Sequence, residues 1–355
     1  MDKIEYKYLK SEIGYVDKTP GKTYGDNNGE IFNNLEENIA SGEYSHAEGY
    51  ATIASGDYSH AEGYGAKASG SRSHAEGYNT KATNYDCHAE GWSTTASGSY
   101  GSHAEGDSTT ASGTSSHAEG YNTKATSTND SVSKTSTTGK GYYTHAEGYG
   151  TVAYGRCSHA EGNGTKASGY DSHAEGYVTI ASGNYGSHAE GYETKATGNC
   201  SHAEGYATTA SGNCSHAEGS NIGNDGGNIL PSRVITLTDG TSVGITGSTA
   251  YGKNSHAEGT QTYAREYSSH AEGYQTDTFG IASHAEGNNT TASGDGSHAE
   301  GGNRNSSGGV LSDRTITLSD GSTITIQGST ASGIQSHAEG TQTYAGGYSS
   351  HAEGY

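Results

Sequence analysis

All 18 histidines of this sequence stand in one tetrapeptide, His-Ala-Glu-Gly, which places a carboxylate two residues after every imidazole. Imidazole changes its charge near neutral pH and is a common ligand of transition metals. A carboxylate beside it can accept its proton in a hydrogen bond or share a metal ion. The pair could therefore serve proton transfer, metal binding or a hydrogen-bonded network.

Catalysis is the least supported of these uses. His-x-Glu is half of the zinc deaminase signature, but the other half, Pro-Cys-x-x-Cys, is absent. The His-Glu-x-x-His motif and the phosphate-binding P-loop are also missing. A catalytic motif repeated 18 times in one chain would be hard to explain. We therefore predict that the protein is not an enzyme.

The composition argues against a conventional hydrophobic core and against a nucleic-acid partner. Of 355 residues, 57 are glycine and only 29% are hydrophobic. The formal net charge of −21 opposes contacts with phosphates. Low hydrophobicity with high charge often means disorder, but stacked repeats can bury small residues on one another.

The spacing of the motif defines the elements that must position it. Twelve of the 17 intervals between successive histidines are 14 residues, and residues 45–58 form a complete copy, Ser-His-Ala-Glu-Gly-Tyr-x-Thr-x-Ala-Ser-Gly-x-Tyr. Such a unit is too short for a helical hairpin and suits two short strands with two tight turns. We predict an all-β fold, a parallel β-solenoid of 14-residue coils.

Side-chain alternation along strands divides the unit into two faces. In Ser-His-Ala-Glu-Gly, the Ser, Ala and Gly share the face expected to point into the coil, and His and Glu share the other. In Thr-x-Ala-Ser-Gly, the position between Thr and Ala, here called the x position, faces outward and varies, with Ile53, Lys67 and Thr95 as examples. The His and Glu positions never vary, so we expect their face to meet a uniform environment.

The repeat resembles the YadA-like head of trimeric autotransporter adhesins, and its Ser-His-Ala-Glu-Gly form is similar to repeats in tail-fibre proteins of phages and prophages. The lead-in segment Gly-Glu-Ile-Phe-Asn-Asn-Leu-Glu-Glu-Asn at residues 29–38 is similar too. The resemblance covers about residues 29–355, apart from two insertions. It implies a left-handed β-roll that forms a homotrimer. In the adhesin heads the positions of His and Glu are usually apolar and face the trimer axis, so here either that axis is polar or the interface lies elsewhere.

Two uses of the His and Glu face follow from this resemblance. Stacked coils would place successive histidines about 4.8 Å apart, and a threefold axis would gather three His and three Glu at each level. We favour a hydrogen-bonded network at the trimer axis, without a cofactor; the alternative is a transition metal, zinc or nickel, on the His column. Assembly would fail at acid pH if neutral imidazole is required, or at alkaline pH if imidazolium is. The predicted column consists of His46, Glu48, His60, Glu62, His74, Glu76, His88, Glu90, His103, Glu105, His117, Glu119, His145, Glu147, His159, Glu161, His173, Glu175, His188, Glu190, His202, Glu204, His216, Glu218, His256, Glu258, His270, Glu272, His284, Glu286, His298, Glu300, His337, Glu339, His351 and Glu353.

Tyrosine and cysteine also recur at fixed positions. Tyr50, Tyr64 and Tyr78 follow the motif in successive coils, and we expect a stacked ladder rather than a sugar-binding surface. Cys200 and Cys214 occupy the same position in neighbouring coils, within disulfide range, although free thiols are the simpler expectation.

The repeat also divides the chain into segments. We predict a cap or attachment segment at 1–37, coils at 38–219, 246–301 and 327–355, and inserted β-hairpins at 220–245 and 302–326. A degenerate coil is expected near residues 130–141, giving a rod about 90 Å long with an uncapped end. Both insertions place Asp-Gly between β-branched runs, a hairpin signal, and should protrude about 19 Å apart. Their candidate contact residues are Arg233, Asp239, Gly240, Arg314, Asp320 and Gly321.

These features together predict a structural or adhesive fibre protein, a trimeric rod that acts as a spacer and binds a host or surface. The alternatives are a bacterial cell-surface adhesin or self-stacking extracellular filament, and a metal-binding fibre. The expected partners are further copies of the chain, with a host receptor or glycan possible; no nucleic acid and no membrane insertion are expected. The chain begins without a signal peptide, so we expect a virion tail fibre in preference to an exported surface protein.

Overall fold

The computed structural model describes residues 22–24, 38–126, 143–222, 229–236, 242–303, 310–318 and 320–354. The chain divides into two compact units, residues 1–171 and 172–355, and each is a parallel β-solenoid with 14-residue coils. The predicted all-β solenoid is therefore confirmed. Among the described residues there is no helix of the length and apolarity needed to cross a membrane.

Each coil of unit 1 contributes one long and one short strand. The long strands are His46–Tyr50, His60–Tyr64, His74–Tyr78, His88–Trp92, His103–Asp107, His117–Tyr121, His145–Tyr149 and His159–Asn163. The short strands are Ile39–Ala40, Ile53–Ala54, Lys67–Ala68, Lys81–Ala82, Thr95–Ala96, Thr110–Ala111, Lys124–Ala125, Val152–Ala153 and Lys166–Ala167.

Unit 2 repeats the same arrangement. Its long strands are His173–Tyr177, His188–Tyr192, His202–Tyr206, His216–Ser220, His256–Thr260, His270–Tyr274, His284–Asn288, His298–Gly302, His337–Thr341 and His351–Gly354. Its short strands are Ile180–Ala181, Lys195–Ala196, Thr209–Ala210, Thr249–Ala250, Tyr263–Ala264, Asp277–Thr278, Thr291–Ala292, Thr330–Ala331 and Tyr344–Ala345.

The interior of each coil is built from small side chains. In the coil that begins at Ser45, the side chains of Ala47, Thr52 and Ala54 are fully buried, and Ser45 is almost so. Neighbouring long strands pair in parallel with His on His and Ala on Ala, so identical residues stack along the unit. Only small residues fit where two backbones approach this closely, and the composition supplies them.

The glycine of the tetrapeptide does not share this interior, so that part of the prediction is wrong. Gly49 is exposed and has a φ of +117°, which breaks the strand alternation that would have pointed it inward. A Cβ atom at this position would overlap the carbonyl oxygen of Gly63 in the next coil. Glycine is required here by the close approach of the backbones and by the positive φ.

The predicted degenerate coil near residues 130–141 is also wrong. The long strand His117–Tyr121 pairs directly with His145–Tyr149, and the short strand Lys124–Ala125 pairs directly with Val152–Ala153. The intervening segment, 127–142, lies outside the described residues.

The first long strand of unit 1 has an antiparallel neighbour. The strand Lys22–Tyr24 pairs with residues 46–48, with Thr23 opposite Ala47. An added strand of this kind covers backbone groups that the first coil would otherwise leave unpaired. The rest of the predicted cap, apart from these three residues, lies outside the described part of the chain.

Each predicted hairpin segment of unit 2 contains a two-stranded antiparallel sheet, here called an arm. The first arm pairs Arg233–Thr236 with Ser242–Ile245, and the second pairs Arg314–Thr317 with Thr323–Ile326. The coils on either side of each insertion pair directly, as His216–Ser220 does with His256–Thr260. The arms therefore leave the solenoid without interrupting its stack.

Candidate functional site

In each unit the long strands bring the predicted His and Glu residues onto one outward face, here called the His–Glu column. Successive imidazole rings have centroids 4.6–5.0 Å apart in unit 1 and 4.7–4.9 Å apart in unit 2. Most pairs are stacked, but His46 and His60 are tilted by 50°, and His103 and His117 by 51°. Between His188 and His351 the planes of neighbouring rings differ by only 2–10°. The Nε2 atom of a column histidine typically lies 3.4–4.0 Å from a carboxylate oxygen of the Glu two residues later.

Within the described residues, most imidazoles of the column keep a ring nitrogen without a hydrogen-bond partner. Most of the Glu contacts are too long for a hydrogen bond, and the Nε2 atoms are nevertheless hidden from solvent. The His and Glu side chains as a whole remain half-buried, for example 38% and 48% exposed for His202 and Glu204. Within the described residues, a buried Nε2 atom without a hydrogen-bond partner occurs in His60, His74, His88, His103, His117, His145, His188, His202, His216, His256, His270, His284, His298 and His337.

The stack favours neutral imidazole. The pKa of His270 is lowered to about 4, by burial first and by the neighbouring His284 and His256 second, while Glu272 opposes the shift. The pKa values of His74, His103, His145, His188 and His216 are lowered by burial first and by neighbouring histidines second. Charging several rings stacked less than 5 Å apart would set like charges against each other.

The column of unit 2 also assembles sets of possible metal ligands. Each set contains two successive histidines and the Glu between them, and its ligand atoms lie within 4.8 Å of one another. The imidazole lone pair lies in the ring plane, so two parallel rings 4.7–4.8 Å apart cannot both point at one ion without tilting. The sets are His256–Glu258–His270, His270–Glu272–His284, His284–Glu286–His298, His298–Glu300–His337 and His337–Glu339–His351.

Tyrosine forms the predicted ladder beside this column. Tyr50, Tyr64 and Tyr78 stack with centroids 4.9–5.0 Å apart, and Trp92 continues the stack at 3.9 Å. The near-parallel rings cover one another's faces and present their edges to solvent. A sugar that needs an open aromatic face would find little of it along this ladder.

The four cysteines are free thiols. Cys157, Cys200 and Cys214 are exposed, whereas Cys87 is buried and donates a hydrogen bond of 2.8 Å to the carbonyl of Gly98. Cys87 replaces a motif serine but bonds differently: Ser73 donates to the carbonyl three residues earlier, that of Gly70, whereas Cys87 donates to a carbonyl eleven residues later.

The first arm is anchored to the coils by groups that sequence reasoning missed. Arg233 forms a bidentate ion pair with Asp277, with N–O distances of 2.6 and 2.7 Å, and also donates to the carbonyl of Gln261. Ile235, Ile245 and Tyr263 form a buried apolar cluster beside it. The available signal was that Tyr263 and Asp277 occupy x positions, where Lys, Thr or Ile is usual.

The candidate contact residues of the arms therefore divide into different roles. Arg233 is occupied by its anchor and is not available to a partner. Arg314 is exposed; it donates to the carbonyl of Gln342 and has no ion pair within the described residues. Asp320 accepts hydrogen bonds from Ser322, and Gly321 has a φ of +83°, which fits a tight turn. Asp239 and Gly240 lie outside the described residues.

One hydrolase-like string, Gly-Thr-Ser-Val-Gly, does occur at residues 240–244. The nucleophile of such motifs stands on a sharp strand-to-helix turn. Ser242 instead begins an arm strand and is exposed, and no histidine of the described residues bonds to it. The string therefore lacks the geometry of a nucleophile elbow.

Comparison of the sequence with protein-family models and with curated proteins finds no match.

Proposed function

We propose that the protein is the rod of a trimeric fibre, which acts as a spacer and as a host- or surface-binding element. One observation carries the proposal: within each unit the His–Glu column is uniform, whereas the x positions of the short strands vary freely. A surface exposed only to water would be expected to vary as the x positions do. A uniform column is what an identical column in other copies would require.

The unmet hydrogen-bonding capacity of the column imidazoles supports association through this face. Within the described residues, fourteen column histidines, from His60 to His337, hide an Nε2 atom that has no hydrogen-bond partner, which is unfavourable unless another group approaches. On a threefold axis, a Glu carboxylate of a neighbouring copy would be the hydrogen-bond partner of the imidazole at every level. A fully satisfied polar network of this kind specifies register as well as holding the chains together.

The adhesive part of the proposal rests on the arms and on the resemblance to adhesin heads and tail fibres. The arms stand on the short-strand side and so leave the His–Glu column free for assembly. They are the largest departure from the repeat and therefore the best candidates for contact with a receptor. A cell-surface adhesin or self-stacking filament would use the same rod.

The mass in solution tests this proposal. A trimer of the 36.4 kDa chain would have a mass of about 109 kDa by sedimentation equilibrium or mass photometry. A species of 36.4 kDa at micromolar concentration would contradict it. The His–Glu column would then need another partner.

A metal-binding fibre is a second candidate, favoured by the ligand sets of unit 2. The lowered pKa of His270 keeps that imidazole neutral near pH 7, and neutral imidazole is the form that binds metal. Elemental analysis of protein dialysed against zinc or nickel at neutral pH provides the test. Protein without stoichiometric metal would exclude this candidate and leave the trimer proposal intact.

A further inference from the structure

A cleft of about 1150 Å³ lies between the two arms of unit 2. One wall is the segment 231–235 of the first arm, and the other is the segment 324–327 of the second arm. Its floor includes Asn289, Thr291 and Ser293 from the coil between them. We call this cleft the inter-arm slot.

Each arm has one buried and one exposed face, from which we infer that its strand edges, rather than a face, border the slot. In the first arm Ile235 is 8% exposed and packs inward, whereas its neighbour Val234 is 67% exposed. The second arm alternates in the same way, with Ile326 buried and Thr325 exposed. Within the described residues, each arm is a sheet of two strands only, so each wall presents an unpaired strand edge.

The width of the slot follows from the repeat of the coils. The two arms are held at equivalent points. Gln261 donates a hydrogen bond to the carbonyl of Pro231 in the first arm. Gln342 donates one to the carbonyl of Ser312 in the second arm. The coils of these glutamines are four steps apart in the stack, so equivalent strands of the two arms are about 19 Å apart. The second arm's own other strand takes up one step, leaving about 14 Å between the facing edges. That distance is three strand spacings, which two added strands would fill.

We propose that the inter-arm slot receives an arm of a second copy of this chain, whose two strands pair with both open edges. An arm is a two-stranded element of the required width, and main-chain pairing at sheet edges is an established mode of association. The charges of the slot and of the second arm also support this pairing, because Asp313 of the slot and Arg314 of the arm are opposite in sign. The Arg233 guanidinium is already neutralised by Asp277, so among the described residues Asp313 is the charge of the slot lining that has no ion pair. Arg314, which has no ion pair within the described residues, lies on the second arm, next to Asp313 in sequence.

This contact lies on the short-strand side of unit 2, whereas the His–Glu column lies on the long strands. The two interfaces therefore do not compete. The slot would join one rod sideways to another, an association beyond the trimer proposed above and independent of it.

The substitution Thr291→Lys tests the slot. It places a long cationic side chain on the floor, and Lys already occupies the same x position in coils such as those of Lys67 and Lys195, so the solenoid tolerates it. Thr95→Lys is the matched control, because it makes the same change in a coil without an arm. We expect the wild-type protein and Thr95→Lys to double their basal mass as the protein concentration rises. Thr291→Lys should need an at least tenfold higher protein concentration for the same doubling. A wild-type mass that never doubles, or an unchanged Thr291→Lys, overturns the proposal; the basal mass itself reports separately on the trimer.

Hydrogen exchange gives a second, local measurement. Amide exchange in Arg233–Thr236 and Thr323–Ile326 should slow with rising concentration in the wild type and in Thr95→Lys, but not in Thr291→Lys. Exchange that is independent of concentration would overturn the proposal. A slot used by an unrelated peptide or by a glycan would give that result.

Discussion

At the scale of single residues, backbone conformation rather than side-chain chemistry fixes the glycine of each tetrapeptide. Gly148 has a φ of +111°, and a Cβ atom there would overlap the carbonyl oxygen of Gly162. Two residues later Gly150 also has a positive φ of +63°, but a Cβ atom there would meet nothing. The equivalent corner is held by Ala51 in another coil, so side chains are tolerated at that position.

This difference predicts unequal effects of two alanine substitutions. Gly148→Ala should lower the free energy of unfolding by at least about 2 kcal/mol, because strain and steric overlap add. Gly150→Ala, the control, should change it by about 1 kcal/mol or less. Chemical denaturation of both variants provides the measurement. Equal effects would show that the close approach of the backbones is not what demands glycine.

The histidines predict a dependence of stability on pH. The pKa values of six of them, among them His216 and His270, are lowered in the folded state. The folded state therefore binds fewer protons than the unfolded chain, and this contribution to stability is complete above the unfolded pKa of 6.5. Stability should fall as the pH drops from about 6.5 toward the folded pKa of about 4 for His270. Melting temperatures between pH 7.5 and 4.5 should decrease, and His270→Gln should reduce the decrease. A protein that becomes more stable over this range would contradict the neutral stack.

At the scale of elements, the ion pair between Arg233 and Asp277 should hold the first arm against the coils. Asp277→Asn leaves the guanidinium partly buried without its counter-charge, which should weaken docking of the arm by about 3 kcal/mol. Arg314→Met is the control. The exposed Arg314 is the equivalent residue of the second arm and has no ion pair with a carboxylate within the described residues. Its loss should weaken docking of the second arm by less than about 1 kcal/mol. Hydrogen exchange in Arg233–Thr236 should accelerate only in Asp277→Asn. Similar exchange in both variants would show that apolar packing alone anchors the arm.

The elements also show how far the sequence could be interpreted. A 14-residue period with small residues in alternation was enough to predict the coil, its two strands and the stacking of His on His. The inward glycine failed because positive φ interrupts alternation, as at Gly49. The degenerate coil failed because a 28-residue interval can be two coils or one coil with an insertion, and only the pairing of Lys124 with Val152 distinguishes them. The sequence does not identify the role of Asp277, because an x position is expected to face water.

At the scale of the whole molecule, the proposed trimer makes different demands on the two faces of one coil. His202→Glu would place six carboxylates at one level of a threefold axis and remove the donors between them. Thr209→Glu makes a similar change of charge at the x position of the same coil, which faces away from the column.

We expect His202→Glu to weaken trimer formation by several kcal/mol, because like charges meet in a partly desolvated interface. Thr209→Glu should remain at about 109 kDa, three times the chain mass of 36.4 kDa. Sedimentation equilibrium of both variants at neutral pH makes the comparison. If both assemble equally well, the His–Glu column does not line the axis; if both dissociate, the short-strand side takes part in the trimer. Only selective loss in His202→Glu assigns the uniform column to the interface, because the two variants share the coil and differ only in the face that carries the charge.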